Sequence, residues 1–106
     1  MVVNVDNLPV ELNVKEIAFL QRKLPNEAAR DVLIERSLRT AVKCAARFYA
    51  VHNIIPLEDY VSVATVGLVR GVQGIQDIPP ENFYLHIRKC CAEEVQKFMK
   101  ARLKRL

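Results

Sequence analysis

The segment Leu57–Val72, LEDYVSVATVGLVRGV, constrains this chain more than any other, because its two sides make different demands. At helical spacing Leu57, Val61, Ala64, Leu68 and Val72 line one side, the period of a core-facing stripe. The other side carries Asp59, Ser62, Val63, Val66 and Arg70. Two valines there exceed what a solvated face requires. A helix apolar on both sides is either wholly buried or docked on something else, and docking is the reading adopted. Gly67 in the middle of the helix costs about 1 kcal/mol against Ala. A helix tolerates that where another backbone comes close, so Gly67 predicts a tight helix crossing.

The rest of the chain reads as helices joined by short breaks. Asn13 with Glu16 three residues on forms a capping-box pattern, opening a first helix over about 14–24. Pro25-Asn26 ends it and starts a second helix over about 27–51, with an apolar stripe of Ile34, Leu38, Ala41, Val42, Ala45, Phe48 and Tyr49. Its other face carries Arg36, Arg39, Lys43 and Arg47, a row that could touch phosphate and is otherwise a solvated face. Pro56 opens the third helix, 57–72, with Glu58 and Asp59 in the first turn, where acids complement the helix dipole. Gly71 and Gly74 are read as loosening its end, and Asp77-Ile78-Pro79-Pro80 as a loop. The fourth helix runs from about 80 to 106 and buries Phe83, Ile87, Cys91, Val95 and Phe98. The expected fold is all-α, a compact bundle of about four helices forming a single domain over residues 1–106.

Composition narrows the function. A chain of 106 residues holds one helical core but not two. No apolar run reaches the length of a membrane span. The N-terminus, MVVNVDNLPVEL, lacks the basic and apolar blocks of a secretion signal, so the expected location is cytoplasmic. Cys44, Cys90 and Cys91 have neither CxxC nor Cys/His spacing; they read as small buried hydrophobes, with no zinc site. No nucleophile–base pair, phosphate-cradling glycine loop or metal cluster can be assembled, so no cofactor is expected and the chemistry is binding rather than catalysis. Net charge is +4, but residues 1–86 hold nine Lys/Arg and ten Asp/Glu, while 87–106 hold seven and two. The excess sits at Lys97, Lys100, Arg102, Lys104 and Arg105. That run suits a polyanion partner, or equally a solvated basic helix end.

Three segments carry a resemblance. DYVSVATVGLVRGV resembles the second helix of region 2 of bacterial RNA polymerase sigma factors of the sigma-70 family, and is most similar to the sporulation-type pattern DLISIGTIGLIKA. LIERSLRTAVKCAARFY resembles the preceding family helix through Leu33, Ile34, Glu35, Leu38, Arg39, Val42, Ala45 and Phe48. RKCCAEEVQKFMKA is more loosely similar to the helix that follows. The resemblance spans roughly Leu12 to Lys100, with the three motifs in order at the family's spacing.

The resemblance implies a region 2 module that docks on the clamp-helix coiled coil of the polymerase β′ subunit. By position, Asp59, Ser62, Val63, Thr65 and Val69 fall at that contact, with Asp59 keeping the family's acid; Val66 and Arg70 join them from the helical spacing. The family's next helix opens promoter DNA at the minus-ten element, stacking bases on aromatic side chains. Here this chain departs, with Leu85-His86-Ile87 for the usual Thr-Tyr-Ala and Lys89-Cys90 for the paired aromatics of primary factors. Tyr84 and His86 remain to stack a base. Arg88, Lys89 and the tail residues Lys97, Lys100, Arg102, Lys104 and Arg105 remain to hold phosphate.

The region that reads the minus-thirty-five element is absent from the sequence, implying a fragment or a second polypeptide that supplies it. Three readings follow: a sigma-like initiation module, a polymerase-binding regulator that blocks a competing sigma factor without opening DNA, and a helical adaptor unrelated to polymerase.

Overall fold

The computed structural model describes residues 7–106. The reading of the N-terminus as carrying no secretion signal falls partly on residues 1–6, outside the described ones. Among the described residues the chain is all-α, with helices α1 (Val14–Lys23), α2 (Glu27–Glu35), α3 (Leu38–Val51), α4 (Leu57–Val72) and α5 (Phe83–Leu103). Two single 3₁₀ turns, Ile75–Asp77 and Pro80–Asn82, join α4 to α5. No helix among these residues is long and apolar enough to cross a membrane.

The helix starts follow their local chemistry. Asn13 accepts from the Glu16 amide at 2.9 Å and Glu16 accepts from the Asn13 amide at 3.0 Å, so the predicted capping box closes. Asn26 caps α2 by accepting from the Ala29 amide. Pro56 stands immediately before α4, with Glu58 and Asp59 in its first turn.

The expected single helix over 27–51 is two helices. Arg36 caps the end of α2 with ψ −3°, and Ser37 (φ −103°, ψ 0°) leaves helical geometry. The Ser37 hydroxyl donates to the Leu33 carbonyl at 2.7 Å, competing with the backbone ladder, and the Ser37 amide tightens to the Ile34 carbonyl. The Tyr84 hydroxyl reaches from α5 and donates to the half-buried Arg36 carbonyl at 3.4 Å. Apolar periodicity runs straight through this break, so spacing alone could not reveal it.

Helices α3, α4 and α5 pack on one another as the centre of the molecule, with the α4–α5 contact the most extensive. Gly67 marks the predicted crossing: a Cβ there would lie 2.7 Å from the Cys90 carbonyl oxygen and 2.8 Å from Cys91 Cα. Gly71 does not loosen the helix end. It lies inside α4, and its Cβ would meet Cys90 Cβ and Ile87 Cδ1 at 3.1 Å. The end is made by Gly74, at φ +69°, a left-handed position that favours glycine.

The core stripe is also wider than expected. Tyr60, outside the predicted stripe, is fully buried; it stacks on Phe48, meets Phe98 edge-on, and donates its hydroxyl to the His52 carbonyl at 2.9 Å. The reason is geometric. Because α4 is flanked by α3 on one side and α5 on the other, its buried arc extends through Tyr60, Gly67 and Gly71.

Helix α1 and the N-terminal segment close the bundle. The buried Gln21 side chain donates to the carbonyls of Ile75 and Ile78, at 2.8 and 2.9 Å, holding the α4–α5 connection against α1. Residues 8–12 lie as a strap across α2 and α3. Arg39 donates to the Leu8 and Pro9 carbonyls, Arg36 to the Val10 carbonyl, and the Leu12 amide to the Tyr84 hydroxyl at 2.7 Å.

Candidate functional site

The side of α4 that faces neither α3 nor α5 carries Ser62, Val66 and Val69 at three- and four-residue steps. Val66 is 58% exposed and Val69 38%, on a helix whose remaining large apolar side chains are buried or half-buried. Ser62 is exposed, but its hydroxyl donates back to the Glu58 carbonyl at 3.0 Å. Thr65 does the same to Val61 at 2.8 Å, at the edge of this face. Neither hydroxyl donor is directed outward, so the outer surface is more apolar than its composition suggests. Of the two valines that looked surplus, Val63 is half-buried against the core, while Val66 is solvent-facing.

The charged members of the α4 set turn toward α5. Asp59 pairs with Arg102 at 3.7 Å, both side chains being nearly half exposed. Arg70 donates to Glu94 and lies 3.8 Å from Glu93. Two residues expected on different surfaces, Asp59 and Arg102, therefore meet across the antiparallel α4–α5 pair. Arg102 also lies over the Phe98 ring, 5.4 Å from its centroid. The acidic partners Glu93 and Glu94 carried no signal in the sequence beyond their charge.

Helix α5 divides the expected nucleic-acid residues. Lys89, Lys97, Lys100 and Lys104 lie at steps that keep them on one side of the helix line, all exposed, with Lys97 3.9 Å from Glu94. Arg105 is exposed beyond the helix end. Arg88 and Arg102 lie on other sides. The two candidate base-stacking residues are engaged within the fold. Tyr84 is half-buried between the Leu12 amide and the Arg36 carbonyl, and burial pushes its hydroxyl above the usual tyrosine range. His86 donates Nε2–H to the Gly71 carbonyl at 3.0 Å, which fixes its tautomer, with Cys90 Sγ 3.6 Å from the same nitrogen.

The cysteines are free and sit in or beside the core. Burial raises all three thiols, Cys91 furthest, to about 12. Among the described residues no group of three His, Cys, Asp or Glu side chains comes together to hold a metal.

Arg88 points to a feature that the sequence alone did not assemble. It lines a cleft of about 140 Å³ between α3 and α5 with Glu11, Thr40, Lys43, Cys44, Arg47 and Tyr84. The arginine–lysine row of the second predicted helix is thus split. Arg36 and Arg39 bind strap carbonyls, whereas Lys43 and Arg47 face the cleft. The spacing of the row was legible; its meeting with Arg88, on a helix far along the chain, was not.

Fold and surface define an all-α module whose exposed chemistry is apolar on one helix and basic on the next. No family model matches the chain. Over 97 residues, 90% of its length, it is 31% identical to the RNA polymerase sigma-E factor of Clostridium acetobutylicum. Over that span the chain is related to RNA polymerase sigma factors of the sigma-70 family. It spans 40% of the length of that relative.

Proposed function

We propose that this chain is a sigma region 2-like module that docks on core RNA polymerase through the outward face of α4 and contacts promoter minus-ten DNA through α5. The observation that carries the reading is the exposed Val66–Val69 pair, on the very helix that resembles the family's docking helix. A coiled coil is a fitting partner for that face, because a helix pair can lay an apolar ridge along it. Asp59 sits at the margin, half exposed, where it can exchange Arg102 for a basic residue of the β′ clamp helices at little cost. Lys89, Lys97, Lys100 and Lys104, with Arg105 beyond them, provide a line of exposed cations for DNA phosphates, and Arg88 and Arg102 flank it. A second polypeptide, or the remainder of a longer chain, would supply recognition of the minus-thirty-five element.

The test is gel-filtration co-elution of the purified chain with core polymerase, comparing the parent with Val66→Arg. Co-elution lost in the variant, at unchanged melting temperature, supports the docking face; retained co-elution refutes it. A second reading is favoured by one observation. Tyr84 and His86 both spend their polar groups inside the fold, which leaves α5 poor in free aromatics for trapping bases. On that reading the chain occupies polymerase and blocks a competing sigma factor without opening DNA. In-vitro transcription with and without the resident sigma factor separates the two: new initiation for the first, inhibition alone for the second.

A further inference from the structure

The α3–α5 cleft is rich in unneutralised positive charge. Lys43 and Arg47 enter from successive turns of α3 and Arg88 from α5. Among the described residues, none of the three has a carboxylate within ion-pair distance, whereas Arg30, Arg70, Lys97 and Arg102 all do. Beneath them Cys44 is buried, and burial raises its thiol above the usual range although Arg47 and Arg88 both pull it down. Both arginines line the same cleft as Cys44, and the neutral thiol supplies no counter-charge. The acid that does reach the cleft is Glu11, carried in by the strap, which accepts from the Thr40 hydroxyl at 3.3 Å. The cleft already holds an oxyanion, and one carboxylate faces three cations.

We propose that this cleft is a phosphate-binding site in which Lys43, Arg47 and Arg88 hold the phosphate and Glu11 of the strap is the resident anion that it displaces. The chemistry favours phosphate over a carboxylate. Two arginines offer forked N–H pairs that match tetrahedral oxygens, the lysine adds a point charge, and the Thr40 hydroxyl released by Glu11 becomes a further donor. A phosphate monoester brings about −1.5 to −2 of charge at pH 7 against the single charge of Glu11, and a strand phosphodiester matches that single charge while offering tetrahedral oxygens to the forks. The strap is held to α2 and α3 through backbone carbonyls of Leu8, Pro9 and Val10, so Glu11 can swing out while the strap stays anchored. The phosphate can belong to a nucleic-acid strand, which would deepen the DNA-binding reading above, or to a free phosphorylated molecule, which would not depend on it.

Amide and arginine Nε–H spectra of the isotope-labelled full chain, titrated separately with inorganic phosphate and with a twelve-nucleotide oligo-dT, test the site without polymerase. We expect saturable shifts at Thr40, Lys43, Arg47 and Arg88 in at least one titration. Arg47→Gln with Arg88→Gln should weaken that binding about tenfold or more. Glu11→Gln should tighten it about fivefold, roughly 1 kcal/mol, because the phosphate no longer has to displace a charged competitor. Response to oligo-dT alone assigns a strand phosphodiester; response to inorganic phosphate alone assigns a free phosphorylated ligand. No saturable shift in the cleft with either probe overturns the site, as does unchanged affinity in the double variant. Weaker binding by Glu11→Gln, a gain-of-binding design that does not rest on the double variant folding well, overturns the role of the strap. Co-elution of the single variant Arg47→Gln with core polymerase should be unaffected, so failure of the cleft and failure of the α4 docking face are read separately.

Discussion

Replacing Gly67 with Ala tests the packing that positions both candidate surfaces. A Cβ at this position would lie 2.7 Å from the Cys90 carbonyl oxygen and 2.8 Å from Cys91 Cα. Unstrained contacts of this kind need about 3.5 Å, so α4 and α5 must part by some tenths of an ångström. Both obstructing atoms belong to the backbone, and no rotamer change relieves them. Overpacking of this kind costs about 1–3 kcal/mol, here at the upper end. The gain in helix propensity returns about 1 kcal/mol. The net loss is then about 2 kcal/mol, or a fall in melting temperature of about 8–16 °C for a domain of this size. Circular dichroism melts at 222 nm provide the assay. Gly71→Ala is the internal control, since its Cβ would meet only side-chain atoms at 3.1–3.2 Å, which can shift. It should change the melting temperature by a few degrees at most. A Gly67→Ala protein as stable as the parent, or more so, would refute the close crossing.

Tyr84→Phe removes the acceptor of the Leu12 amide and should cost about 1 kcal/mol, read as a lower urea midpoint with earlier proteolysis of the strap. Asp59→Asn breaks a half-exposed ion pair and should change stability by less than about 1 kcal/mol, so any larger loss of polymerase binding reports docking. The buried Cys91 thiol, raised from 9.0 to about 12, makes the folded state hold a proton that the unfolded chain releases first. Its contribution is intact below pH 9 and is lost as pH rises from there to 12, at up to about 1.4 kcal/mol per pH unit. Urea midpoints across that range should fall less steeply for Cys91→Ala, and equal slopes would contradict the assignment. If the α5 lysines contact phosphates, DNA affinity should drop steeply with salt, by roughly 0.9 power per contact. A flat response would make this end of α5 a solvated helix terminus.

Local rules made much of the fold legible. The Asn13–Glu16 box, Asn26 and Pro56 each announce a helix start, and Gly67 announced a close approach because a mid-helix glycine needs a reason. What local rules could not supply came from distant partners. The α2–α3 break depends on Ser37 turning back to Leu33 and on Tyr84 arriving from α5. Tyr60 is buried because α4 lies between two helices, whereas a single stripe assumes one neighbour. The two faces of α4 were readable as periodicity, but not the half-burial of Val63 or the turning of Asp59 and Arg70 toward α5. Similarly, the row Arg36, Arg39, Lys43, Arg47 was visible as a row. Its division between strap carbonyls and a cleft shared with Arg88 is a tertiary fact.

Co-elution with core RNA polymerase, parent against Val66→Arg, tests the central claim most directly. A stable complex is expected for the parent and none for the variant, with identical thermal melts. A variant that still co-elutes would remove the outward face of α4 from the polymerase contact, and a parent that never co-elutes would contradict the polymerase-docking function altogether.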